Sequence, residues 1–312
     1  MALPKAQWIW MNGQLVAWDE AQVHVLSHAI HFGTSAYEGM RAYATPRGPA
    51  IFRLQAHVDR LYDSCKVLYI EVPFSKQEFC AAVRETVRAN QHKSCYIRPI
   101  VFGGYGDMDL FLTEENRIEV VVASWERDAY YGSAAHDQGV DVAVSSWRRP
   151  APGTLPLMAK LGGHYISSQL AAREAQTGGF AEGIMLDVFG HVSEGPGENV
   201  FLVRDNVIYT APLGASVLPG ITRASVMTLA GELGYEVRQE HMAREMLYLS
   251  DEVFMTGTAA EITPIRSVDR HPVGKGTRGP VTQALQAAFF AIVRGEAEDR
   301  HGWLSFVKEQ GV

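Results

Sequence analysis

The chain is poor in cysteine: Cys65, Cys80 and Cys95 are the only three in 312 residues. None lies in a C-x-x-C pair, so neither a zinc ribbon nor a redox dithiol is expected, and the odd count argues against a disulfide framework. Basic charge is also scarce. The 28 Lys and Arg against 35 Asp and Glu give a formal charge of −7, and the basic residues are scattered, which offers no footprint for nucleic acid. No apolar run approaches the length of a membrane span. The opening MALPKAQWIW lacks the basic region, long apolar stretch and cleavage site of a secretory signal. Internal repeats and low-complexity segments are missing as well. These absences lead to the expectation of a soluble, cytoplasmic protein with reduced structural cysteines and small-molecule partners, touching neither nucleic acid nor membrane. With 47% apolar and 20% charged residues, the composition is that of ordinary globular domains, and the length accommodates two of them.

Local patterns place the elements. WIWMNGQLVAW (8–18) reads as two strands joined at Asn12-Gly13, the strongest short hairpin signal. Leu54, Val58, Leu61, Cys65 and Leu68 recur at helical spacing, and Ser75 with Glu78 makes a capping box ahead of a second amphipathic helix. CYIRPIVF (95–102), RIEVVVASW (117–125) and GVDVAVSSW (139–147) are short and β-branched, hence strands. Residues 148–160, with three prolines and a glycine, read as a loop. Helices and strands then mix without strict alternation, which predicts an α+β fold.

Several motifs invite a function and fail. His24, His28 and His31 fall at i, i+4 and i+7, yet no glutamate completes a His-Glu-x-x-His motif. Structural histidines are expected, and no metal site. VGKGTRGP (273–280) lacks the first glycine of a phosphate loop, and FGGYGD (102–107) has the wrong spacing for a dinucleotide fingerprint.

A more coherent set centres on LPLMAKLGGHY (155–165), where Lys160 sits between an apolar run and two glycines. On these residues alone it is equally well a surface lysine on a helix's opening turn. Farther on, Gly195-Pro196-Gly197 permits sharp turns beside Glu194 and Glu198. SVLPGITRAS (216–225) opens a helix near Ile221-Thr222, a ready anion site. MTGTAAEITP (255–264) makes a small-residue turn at Thr258 and Ala259 with accessible N–H groups.

SHAIHFGTSAYEGMRAY, YIRPI, AKLGGHYISSQ, DVFGHVSEGPGENVF, LPGITR and VFMTGTAAEITPIRSVD, in that order, resemble the branched-chain amino acid aminotransferases, pyridoxal 5'-phosphate enzymes of fold type IV, and the resemblance runs from about residue 8 to 306. The resemblance implies a two-domain fold of the D-amino acid aminotransferase-like type: a smaller N-terminal α/β domain (1–128), a linker (129–137) and a larger C-terminal pseudo-barrel domain (138–312) carrying the Schiff-base lysine. It makes Lys160 the catalytic lysine, confined so that its ammonium is disfavoured, with the glycines after it leaving room for the cofactor. Glu194 matches the carboxylate on the pyridine nitrogen, Tyr165 the tyrosine on the ring oxygen, and Arg60, Ile221, Thr222 and Thr258 the phosphate donors. Phe32, Tyr37, Gly39, Tyr96, Arg98, Met108, Tyr130, Thr258 and Ala259 match substrate-pocket positions. The period of two puts Tyr96 and Arg98 on one strand face. The implied reaction is transfer of the amino group of Leu, Ile or Val to 2-oxoglutarate, by at least a homodimer.

Two departures bear on specificity. Phe32 stands where many bacterial members carry tyrosine, and Tyr37 where phenylalanine is common, so one hydroxyl has moved. The loop 103–116 carries Asp107 and Asp109 and no arginine; solvated carboxylates are expected there. A side activity on (R)-primary amines follows as an expectation. The rival readings are a D-amino acid or (R)-amine aminotransferase, an aminodeoxychorismate lyase, a silent scaffold of the same fold, and a metal enzyme using the N-terminal histidines.

Overall fold

The computed structural model describes residues 3–127, 130–132 and 134–308. They form two compact units, one of Met1–Arg127, Ala159–Gly163 and Ala291–Val312, the other of Asp128–Met158 and His164–Phe290.

The first unit is built on an antiparallel sheet ordered Leu304–Phe306, Ala50–Phe52, Met40–Tyr43, Cys95–Gly103, Ile118–Trp125, Trp8–Met11, Gln14–Ala17. Ser35–Tyr37 adds to the far half of Cys95–Gly103. The expected hairpin is present, with Met11 opposite Gln14. Asn12 and Gly13 take φ of 50° and 98°, the paired positive values that a two-residue turn matched to strand twist demands. Helices Leu54–Val67 and Lys76–Ala89 bury Leu61, Phe79 and Val83 against Ile51, Ile97, Val120 and Val122 of the sheet. The capping box is formed: Glu78 N–H donates to Ser75 Oγ at 3.2 Å, and Ser75 N–H to Glu78 Oε2 at 2.7 Å.

In the second unit six strands close a barrel. The order is Asn199–Arg204, Glu252–Gly257, Glu261–Val268, Val140–Val144, Glu182–Leu186 and His191–Glu194, and Glu194 returns to pair with Asn199. Both Glu182–Leu186 and Asn199–Val203 are buried at every position, as strands covered on both faces must be. Val140–Val144 and Glu182–Leu186 are parallel and connected through helix Tyr165–Thr177. Val200, Leu202, Met255 and Ile265 lie at the centre of the apolar core.

This division differs from the expected boundaries at two places, and both differences come from non-local pairing. Leu304–Phe306 returns to Ala50–Phe52, with Leu304 opposite Phe52, so the last residues belong to the first unit. The Lys160 segment does too, bridging to Ala36 through Leu161. Ala129 and Ser133 of the expected linker lie outside the described residues, while Ala135–Gln138 is a short helix of the second unit.

Candidate active site

In the first unit, Lys160 is fixed through its backbone. Tyr37 N–H donates to the Lys160 carbonyl at 3.1 Å, and Lys160 N–H donates to Ser64 Oγ at 2.9 Å. Ala159 and Leu161 on either side are buried in the apolar core, which leaves the half-buried Lys160 side chain directed by its neighbours. The two glycines that follow serve the chain itself: a Cβ on Gly162 would strike Ser35 Oγ, and one on Gly33 would stand 3.0 Å from Gly163 Cα. The absence of a side chain at Gly162 and at Gly33 lets this segment lie against Gly33–Ser35.

Tyr37 connects the lysine to the substrate-type residues. Its ring centroid lies 4.9 Å from Lys160 Nζ and 4.7 Å from Arg98 Cζ, within cation–π range of both. Arg98 in turn donates from NH2 to the Tyr96 hydroxyl at 3.1 Å, so the two residues do share a strand face. Gly39 is needed beside them, since a Cβ there would collide with the Tyr96 hydroxyl. Phe32 is 43% exposed beside His28, and Met108 is 37% exposed on the loop after Cys95–Gly103. Asp107 and Asp109 on that loop are exposed, as solvated carboxylates should be.

Arg60 belongs to a buried network that the sequence reading missed. Its Nε and NH2 donate to the two oxygens of Glu38 at 2.6 and 2.9 Å. His57 Nδ1 lies 2.7 Å from Glu38 Oε2. Burial would push the Glu38 carboxyl up, but Arg60 and His57 outweigh it and hold the group well below the usual carboxylate range. Burial holds His57 below the usual imidazole value, so a neutral ring donates from Nδ1 to a carboxylate that can only accept. His57, Arg60 and Ser64 form a polar stripe at i, i+3 and i+7 on one helix, and that stripe is the signal that was available.

In the second unit, the Glu194 carboxylate is held on three sides. Arg149 NH2 lies 2.8 Å from Oε1, while Asn199 Nδ2 and Leu218 N–H donate to Oε2 at 2.9 and 3.0 Å. Arg149 is itself buried, its Nε donating to the Ser216 carbonyl at 3.0 Å. Neither Arg149 nor Asn199 was singled out from the sequence. Gly220 is forced by the same network, because a Cβ would run into the Asn199 carboxamide. Helix Ile221–Glu232 follows with no capping side chain among the described residues, and Ile221 and Thr222 are buried at its start. Its first N–H groups therefore remain for an anion. Tyr165 is half-buried at the first position of its helix. Thr258 and Ala259 occupy the three-residue turn between Gly257 and Glu261. Tyr130 is 42% exposed, its ring edge-on to Tyr131 at 4.6 Å.

The histidine triplet does not converge. The helix starts only at His28. His28 bonds Thr34 Oγ1 at 2.8 Å and the Asp109 carbonyl at 2.9 Å, and His31 bonds the Val25 carbonyl at 3.0 Å.

The class IV amino-transferase family profile matches residues 35–268, a stretch holding Lys160, Glu194, Arg60 and both anion turns. The chain belongs to the class IV aminotransferases. It is 50% identical over 309 residues to the branched-chain-amino-acid aminotransferase of Escherichia coli K12, covering 99% of this chain and all of that protein. The crystal structure of the Escherichia coli branched-chain amino acid aminotransferase superposes with a TM-score of 0.96 at 50% identity, covering 97% of this chain and all of the other. That of the Thermobaculum terrenum branched-chain amino acid aminotransferase in its PLP-bound holo form gives 0.90 at 33% identity, covering 97% and 99%. The donor set here fits a cofactor of that kind: an uncapped helix start for a phosphate ester and a fixed carboxylate for a ring N–H. Thr256, opposite Asn199 in the barrel, also keeps a buried hydroxyl without a hydrogen-bond partner among the described residues, the sort of orphan a bound polar group satisfies.

Proposed function

We propose that this protein is a pyridoxal-phosphate-dependent branched-chain amino acid aminotransferase that moves the amino group of L-leucine, L-isoleucine or L-valine to 2-oxoglutarate. The observation that carries the reading is the Tyr37 ring with the Lys160 amine at 4.9 Å and the Arg98 guanidinium at 4.7 Å. It joins a nucleophilic base to an anion-binding group on one aromatic wall, in a chain half identical to branched-chain enzymes. Pyridoxal phosphate, when bound, supplies a carbonyl that takes the amino group and a ring that accepts the electron pair left at the α-carbon.

The chain's own residues do the rest. Lys160 Nζ would hold the cofactor through its carbonyl carbon, and its free amine would take the proton from the substrate's α-carbon. Glu194, oriented by Arg149, Asn199 and the Leu218 N–H, keeps a proton on the ring nitrogen. Tyr165 donates to the ring oxygen. Ile221, Thr222, Thr258 and Arg60 bind the phosphate, with Glu38 presenting the Arg60 guanidinium. The Thr258 and Ala259 N–H groups hold the substrate carboxylate. Phe32, Tyr37, Gly39, Met108 and Tyr130 provide the largely apolar surface for a branched side chain, while Arg98 with the Tyr96 hydroxyl binds the second carboxylate of glutamate.

We place the enzyme in the cytoplasm as a homodimer. Among the described residues no helix is long and apolar enough to cross a membrane, and Leu110 and Phe111 stand 80% and 70% exposed on one loop, a surface suited to a second copy. Lys160→Ala is expected to lower L-leucine turnover at least about 1,000-fold while the protein still takes up cofactor through its phosphate and ring contacts. Retained turnover in a coupled glutamate assay would remove Lys160 from this role.

A further inference from the structure

Asp187, His191 and His241 present donor atoms that all lie within 4.8 Å of one another. They lie in the second unit, at the turn joining Glu182–Leu186 to His191–Glu194 and just before Met242–Ala243, which pairs with the latter strand. Fifty residues separate His191 from His241 in sequence, so no ligand spacing exposes the group; strand pairing assembles it.

We infer that this cluster is a binding site for a divalent transition-metal ion of the zinc type, held by one carboxylate and two imidazoles with water completing the shell. The geometry between the first two ligands is the reason. His191 Nδ1 stands 3.4 Å from Asp187 Oδ2 and is buried with no hydrogen-bond partner among the described residues. The pair is badly placed for a hydrogen bond. Two donors at about 2.05 Å from a tetrahedral ion stand about 3.4 Å from each other, so the spacing fits a shared metal. Asp187 is already held in place to act as a ligand. Its side chain is only 3% exposed, and its other oxygen accepts from the Phe189 and His191 N–H groups, both at 2.9 Å. Such outer hydrogen bonds orient a ligating carboxylate. The His241 ring centroid lies 4.9 Å from that of His191, and as an exposed side chain it closes the set by a rotamer change. The exposed Arg148 borders the site, donating to the Asp187 carbonyl at 2.9 Å, and solvent screens its charge. Imidazole and carboxylate ligands with an open position favour zinc over calcium or magnesium. The ion would tie the hairpin turn to the neighbouring strand, with no part in amino transfer.

The test is calorimetric titration of the chelator-treated, cofactor-loaded enzyme with zinc chloride, in wild type, His191→Ala, His241→Ala and, as a control, His24→Ala. The expected result is one equivalent bound by wild type and the control, with affinity at least about 10-fold weaker in each of the two site variants. Zinc should raise the melting temperature of wild type but not of His241→Ala, and L-leucine turnover of the metal-free His241→Ala enzyme should match wild type. Equal zinc binding by all four proteins, or none by wild type, overturns the assignment.

Discussion

Two buried glutamates show how environment sets the charge of one residue type. Glu38 has Arg60 and His57 against it and stays ionised. Glu198 has other acids instead. Burial first, then the neighbouring Glu182, pushes its carboxyl up to about 8. Tyr131 Oη lies 3.2 Å from both Glu182 and Glu198; one phenol hydrogen cannot serve two carboxylates fully, so one acid keeps its own proton. The consequence for stability has a definite sign. The folded value lies above the unfolded 4.5, so the contribution is complete below about pH 4.5, drains away as pH rises, and levels off above about 8. Glu198→Gln, which is neutral throughout, should gain on wild type by on the order of 3 kcal/mol between pH 5 and 8.5. Urea unfolding across that range reads the gap, and a constant gap would show that Glu198 is already ionised at neutral pH.

At the scale of elements, what was legible in the sequence had its partners nearby. Asn12-Gly13 specifies its hairpin and Ser75 with Glu78 its helix start, because the interacting atoms are within three residues. The start of helix Pro280–Val293 is different. Its N–H groups at Val281 and Thr282 donate to Glu252 at 2.9 and 2.8 Å, and that carboxylate comes from a barrel strand about thirty positions earlier. No local pattern announces such a cap. Glu252→Ala should cost about 1–2 kcal/mol in urea unfolding, as loss of a capping side chain does, and an unchanged midpoint would mean that water replaces it. The same locality explains the site. Lys160, Glu194 and Arg60 stand in recognisable motifs, whereas Glu38, His57 and Arg149 act through folding partners distant in the chain, as does the return of Leu304–Phe306 to the first sheet.

At the scale of the molecule, the order of motifs from SHAIHFGTSAYEG to GTAAEITP carried the family and the barrel topology agrees with it, while composition alone reached only a small-molecule protein. The exchange of a hydroxyl between Phe32 and Tyr37 leaves the choice of amino donor as the property to measure. The direct measurement is a half-reaction without acceptor: the cofactor-loaded enzyme, its long-wavelength absorbance followed after adding L-leucine, with D-leucine and (R)-1-phenylethylamine in parallel cuvettes. A branched-chain aminotransferase loses the band with L-leucine and regains it on adding 2-oxoglutarate, whatever smaller loss the amine causes. No loss with L-leucine alongside a full loss with D-leucine or the amine would contradict the account.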